Sequence, residues 1–179
     1  MDRQPVLEGE RLVLRPLTQA DWEPLFAIAS DRQLWALHPM HDRWQEPVFR
    51  EFFDDALANE GALAVVEKAG GAIIGSSRFQ DYRPEGEEQV EIGWTFLARD
   101  RWGMGYNSEL KRLMMEHAFR FVRRVVFRVG KDNVISRKAM AKIGGRLTDE
   151  VDIRDRGGRT IEHVVYEITR EDFTSGALA

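Results

Sequence analysis

Cysteine is absent from the 179 residues, which excludes a disulfide framework, a thiolate metal site and a cysteine nucleophile carrying a covalent acyl intermediate. Any acyl transfer by this chain is direct or uses another nucleophile. Long apolar runs are lacking too: no segment approaches the ~20 residues of a membrane span, and the opening MDRQPVLEGERLVL is charged. The expectation is a soluble cytoplasmic protein without a membrane partner. Nor is there an excess of positive charge. With 26 Lys plus Arg against 30 Asp plus Glu, a net charge of −4 argues against broad attraction to nucleic acid. His38 and His41 stand three apart, but with no cysteine partner and no HExxH pattern no metal is expected. Linkers, repeats and low-complexity blocks are also missing, so residues 1–179 read as one domain with one core.

What the chain does contain is alternation and helical spacing in a regular order. RLVLRPL reads as a strand, and Thr18 and Asp21 precede Trp22, Leu25, Phe26 and Ala29 at the spacing of a capped helix. Phe49, Phe52, Phe53, Ala56 and Leu57 recur as the apolar face of a second helix. ALAVVEK and AIIGSSRF flank Gly70-Gly71 as an antiparallel hairpin, the polar DYRPEGEE reads as a loop, and QVEIGWTFL follows as a strand whose Gly93 marks a bulge or close approach. A helix from about Asn107 to Phe121 carries Leu110, Leu113, Met114, His117, Ala118 and Phe121 on one side. VVFRVG makes a buried strand, residues 133–143 a short helix, and RLTDEVDIR and TIEHVVYEI two strands joined around Gly157-Gly158, with a frayed tail after Arg170. The order is β-α-α-β-β-β-α-β-α-β-β, an α/β chain with a mixed sheet (α+β in its mixture of connections).

The stretch EIGWTFLARDRWGMGYNSEL joins a strand to a glycine-punctuated turn and a helix start. Gly103 and Gly105 place no Cβ in the way, so successive backbone N–H groups turn toward one point at the helix N-terminus, where the dipole also favours an anion. A pyrophosphate fits there. The turn lacks the GK[ST] of a P-loop and the third glycine of a dinucleotide fingerprint, which leaves nucleotide binding as the weaker reading.

The element order, the RWGMGYNSE turn and the later NVISRKAMAKIGG segment together resemble the GCN5-related N-acetyltransferases (the GNAT superfamily), particularly the branch similar to ribosomal-protein N-terminal acetyltransferases. The resemblance implies the GNAT fold, with the central sheet splayed between its fourth and fifth strands. Its acetyl-CoA signature, Q/R-x-x-G-x-G/A, aligns with Trp102, Gly103, Met104, Gly105, Tyr106 and Asn107, although Trp102 replaces the Gln or Arg and Asn107 the final small residue. It further implies that backbone from Trp102 to Ser108 holds the pyrophosphate while Thr95, Phe96 and Leu97 pair with the pantetheine arm. Arg99 and Arg101, just before the turn, either meet the phosphates or are solvated loop arginines.

Acetyl transfer to an amine needs a neutral nitrogen, a polarised thioester carbonyl and a proton for the departing thiolate. Neutralising an α-amine at pH 7 costs roughly 1.4 kcal/mol and a lysine amine about 4.6. Glu91, at the position where similar enzymes often place a carboxylate, is the candidate base through water; the alternative is a surface strand glutamate. Asn133 and Ser136 match the family's N-x-x-S helix opening and would approach the pantetheine and the sulfur, with Ser136 assisting the thiolate; equally, Asn133 is a strong N-cap. Many relatives carry a tyrosine acid seven residues after that Asn, where this chain has Met140, so thiolate protonation stays unassigned. The expected function is direct acetyl transfer from acetyl-CoA to a primary amine, on a small molecule or a protein N-terminus. The alternative is a non-catalytic acyl-CoA sensor. The sequence leaves room for a homodimer and does not name the acceptor.

Overall fold

The computed structural model describes residues 1–156 and 158–176. Eight strands form one sheet: β1 (Leu7–Glu8), β2 (Leu12–Pro16), β3 (Ala62–Glu67), β4 (Ile73–Arg83), β5 (Gln89–Leu97), β6 (Arg124–Gly130), β7 (Arg146–Arg156) and β8 (Arg159–Thr169). Their spatial order is β1-β2-β3-β4-β5-β6-β8-β7. Every neighbouring pair is antiparallel except β5 with β6. A parallel pair needs a crossover, and α3 (Tyr106–Ala118) supplies it. The other helices are α1 (Trp22–Ala29), α2 (Glu46–Ala58), α4 (Val134–Lys142) and α5 (Arg170–Ser175).

Strand alternation divides the core between the two faces of the sheet. In β3, Leu63 and Val65 join a cluster with Leu110, Leu113 and Met114 of α3, while Ala62 and Ala64 join Trp22, Phe49 and Phe53 of α1 and α2. Period-two side chains allow one strand to serve both layers. The second layer is dominated by rings: Trp22 meets Phe49 at 5.6 Å and Phe53 at 5.3 Å, and Phe49 packs edge-on to Phe96 of β5 at 5.8 Å. His117 lies inside the α3 layer, its Nε2 2.7 Å from the Asp2 carbonyl.

The pairing of β5 with β6 spans only Gln89↔Arg124, Val90↔Val125 and Glu91↔Val126. Beyond Glu91 the two strands part, the splay that the family resemblance implied. On its other side β5 bulges: three steps from Gly93 to Phe96 face two steps from Arg78 to Ser76 on β4. The bulge stands where Gly93 was expected to mark one, but the left-handed residue is Trp94, at φ 51°. Guanidiniums hold its ring in place, Arg78 5.0 Å and Arg154 5.9 Å from the centroid.

Four local expectations are corrected. β1 is an additional strand, too short to show alternation. β4 runs on to Arg83 through residues read as loop, because Gln80 and Arg83 keep pairing with Glu91 and Gln89 across a register shift. α3 stops at Ala118 instead of Phe121; the Phe119 N–H already bonds back within the last turn, and Phe121 is 41% exposed. The tail folds into α5, where Thr169 Oγ1 accepts from the Asp172 amide at 3.1 Å and donates to its carboxylate at 2.8 Å. The Gly157 half of the last turn lies outside the described residues; Gly158 takes φ +75°.

Candidate active site

After β5 the chain makes one 3-10 turn over Arg99–Arg101 and then the glycine turn. The Trp102 indole N–H donates to the Leu97 carbonyl at 2.9 Å, folding the turn back on the end of β5. Gly103 and Gly105 take φ +76° and +86°, left-handed values that an L side chain rarely adopts. The first bond of α3 runs from the Glu109 N–H to the Gly105 carbonyl at 3.1 Å, so the N–H groups of Tyr106, Asn107 and Ser108 have no acceptor within their own helix. They form the donor set that an anion requires. At Gly103 an added Cβ would meet nothing within 4 Å, so that side of the turn is open.

Two neighbouring strands clamp the turn. Arg11, beside β2, donates to the Met104 carbonyl at 2.9 Å and lies 4.3 Å over the Tyr106 ring. Glu67 of β3 accepts from the Tyr106 hydroxyl and from Arg101 at 3.1 Å. These contacts hold the Tyr106 ring on the β3 side, and neither Tyr106 nor Met104 lines the cleft. Arg99 is held by Asp31 at 2.6 Å and Arg101 also by Asp100 at 2.8 Å; both line the cleft with part of their donor capacity committed to protein carboxylates.

The cleft measures about 690 Å³, the size of a small-molecule site. One wall is β5 from Ile92 to Leu97, which includes Thr95 and Phe96; the turn contributes Trp102, Gly103, Gly105, Asn107 and Ser108; α4 contributes Ser136 and Met140, with Asn133 at its cap. Asn133 is 8% exposed and its Oδ1 accepts from the Ser136 amide at 3.1 Å, so it caps α4 as the local reading expected. The segment before α2, from Gln33 to Pro39 and with Arg43, lines the cleft as well. Pro39 presses on the end of β6 so closely that a Cβ on Gly130 would stand 2.3 Å from its Cγ. Burial first, then the nearby Arg43 and His163, push His38 well below its ordinary pKa, and its Nδ1 accepts from the Met40 amide at 2.9 Å. This histidine is neutral at pH 7.

Glu91 is not the surface glutamate that one reading allowed: it is 2% exposed. Arg128 donates to its Oε2 at 2.5 Å and Arg154 stands 3.6 Å away, while Arg128 also reaches Asp81 at 3.3 Å. Burial raises its pKa above the usual carboxylate value, against the pull of those two guanidiniums. Glu91 does not line the cleft; Arg128 does, and links the carboxylate to it.

Among the lining residues that the sequence reading missed, Lys111 stands out by its burial. Lys111 of α3 is 3% exposed, donates to Thr95 Oγ1 at 2.7 Å and sits 5.4 Å from the Phe127 ring centroid. Thr95 and Phe127 lie four and one residues beyond the last pair of β5 and β6, so the ammonium stands between the strands on the side where they part. Burial lowers its pKa to about 7, with Glu91 opposing. A signal was present: Met114, Met115 and Ala118 follow at three, four and seven residues, which puts Lys111 on a buried stripe.

The family model for GNAT acetyltransferase domains matches residues 11–146. Among solved structures, an acetyltransferase from Agrobacterium tumefaciens is 28% identical, with 93% of this chain and 95% of that one covered and a TM-score of 0.67. A GNAT-family acetyltransferase from Bacillus anthracis is 22% identical over 93% and 99% of the two chains, with a TM-score of 0.73. Mycobacterium smegmatis RimJ, in complex with CoA-disulfide, is 18% identical over 93% and 86%, with a TM-score of 0.68.

Proposed function

Because the chain belongs to the GNAT acetyltransferase family, we propose that it passes an acetyl group from acetyl-CoA directly to a primary amine, on a protein N-terminus or a small molecule. The observation that carries this reading is the pair of left-handed glycines opening α3 within the cleft. They let the N–H groups up to Ser108 converge on the pyrophosphate, and the edge of Thr95, Phe96 and Leu97 that β6 leaves unpaired beyond the splay offers backbone partners to the pantetheine amides. A RimJ of the same fold holding CoA-disulfide agrees with that choice of donor. Arg99 and Arg101 supply positive charge at the phosphate end. Asn133 orients the first turn of α4 so that Ser136 faces the reacting end of the cofactor.

On this reading Glu91 takes the amine proton through water, since Arg128 stands between its carboxylate and the cleft. Its raised pKa brings it nearer to the proton affinity such a base needs. Calorimetric titration with acetyl-CoA, followed by CoA release over a panel of amines, tests the proposal. Micromolar binding with release above background supports it, and no measurable affinity ends it. The second reading, a non-catalytic acyl-CoA sensor, draws on Met140, a thioether with no proton to give. Tight binding without turnover on any amine would favour it.

A further inference from the structure

Resting on the acetyl-transfer reading, we infer that Lys111 is the group that protonates the departing CoA thiolate, taking the part that Met140 cannot play. Its place argues for this. The ammonium fills the gap between β5 and β6, tethered to Thr95 on the wall assigned to the pantetheine and bordered by Phe127. Ser136 and Met140 line the same cleft. An ammonium has three donors, so the bond to Thr95 fixes its direction and leaves protons for the sulfur.

The other protonatable groups of the cleft are poorer donors. The guanidiniums that line the cleft are no acids for a leaving group, because arginine does not deprotonate in proteins. His38 is already neutral. Lys142 is exposed, and His163 directs its Nδ1 to the Asp152 carboxylate on β7 at 3.7 Å, not to the β5 wall where Lys111 is tethered. Glu91 is the anion that favours the charged form of Lys111, whereas burial brings its pKa to about 7, close to the working pH at which an acid is most effective.

In the step itself, the nitrogen lone pair forms the C–N bond to the thioester carbon. The C–S bond breaks with its electron pair moving to sulfur, and the proton on Lys111 Nζ passes to that sulfur. The surplus proton of the acylated nitrogen passes through water to Glu91, which returns it to solvent, and Lys111 regains one from water, so charge and atoms balance.

The test uses hydroxylamine as a small acceptor that is already neutral at pH 7, with acetyl-CoA and its selenoester analogue as donors. A selenolate is a much weaker base than a thiolate and departs without an acid. Lys111→Met is expected to bind acetyl-CoA about as well as the parent and to lose about 100-fold or more in kcat with the thioester, with most of that loss recovered on the selenoester. Lys111→Arg, charged but unable to give up its proton, is expected to lose as much as Lys111→Met. In the parent, kcat should fall as pH rises through about 7, and this limb should be missing from both variants. Equal losses on the two donors, parental turnover in Lys111→Met, or a limb of the opposite sign would overturn the inference while leaving the transferase reading intact. Absence of acetyl-CoA binding by the parent would remove both. Near-ultraviolet circular dichroism of each variant separates lost chemistry from lost folding.

Discussion

At Gly105 the backbone takes φ +86°, and an added Cβ would stand 3.2 Å from the Arg11 guanidinium that clamps the turn. A left-handed L-residue costs roughly 1–2 kcal/mol, and the methyl group also presses on the Arg11 clamp, so relief of either shifts the backbone that presents the donors. Gly105→Ala is therefore expected to weaken acetyl-CoA binding by about tenfold or more and to lower the melting temperature of the free protein, read by calorimetry and thermal unfolding. Lys111 has a different effect on stability. Its folded pKa, about 7, lies below the ordinary 10.5, so between those values the unfolded chain binds a proton that the folded chain has released. Stability therefore rises with pH across that window, and below it the full cost of the buried charge is present. Lys111→Met, placed among Met114, Met115 and Phe127, should flatten this rise and melt higher than the parent at pH 6. A variant less active but more stable is the expected signature of a group retained for chemistry.

α3 is fixed to the sheet by Glu109, whose carboxylate accepts from the Arg11 and Leu12 amides at 2.8 and 3.1 Å and from Arg11 Nε at 3.0 Å. Gly9 passes so close that a Cβ would lie 2.5 Å from Oε1. Burial opposes the charge, but these donors together outweigh it and hold the pKa below 4.5. That stability is present above the unfolded value and is lost as pH falls through the lowered one. Glu109→Gln should cost about 1–3 kcal/mol at pH 7 and less in acid, measured by urea unfolding at several pH values. Glu109 sits in the first turn of α3, where the helix dipole favours a carboxylate. Its second task, tying the helix opening to β2, joins residues 97 and 98 positions apart. β1 and α5 escaped the sequence reading for a related reason: two and six residues are too few to display a period.

Across the whole molecule, the cleft exists because one sheet is held together on both sides of a gap. β5 stays with β4 through the bulge, β6 stays with β8 over its full length, and α3 passes beneath to bridge them. A ligand that spans the gap should couple the two halves. Acetyl-CoA at 100 times its Kd is expected to add about 2.7 kcal/mol, a rise of about 5–10 °C in melting temperature for a chain of this size. Hydrogen exchange should slow most at residues 94–108, which face the proposed cofactor. No helix among the described residues is long and apolar enough to cross a membrane.

The sequence by itself determined the elements long enough to show alternation or helical spacing, the glycine turn that opens α3 and the caps at Thr18 and Asn133, because periodicity, left-handed backbone and capping act over a few neighbouring positions. The family resemblance added the splay of the sheet. Tertiary structure alone decided the state of the charged groups. Glu91 is buried because Arg128 and Arg154, 37 and 63 positions away, converge on it from β6 and β7, and Lys111 is poised near neutrality because β5 and β6 enclose it where they separate. Proton affinity depends on the solvent and charge that surround a group in space, and residues distant along the chain supply both.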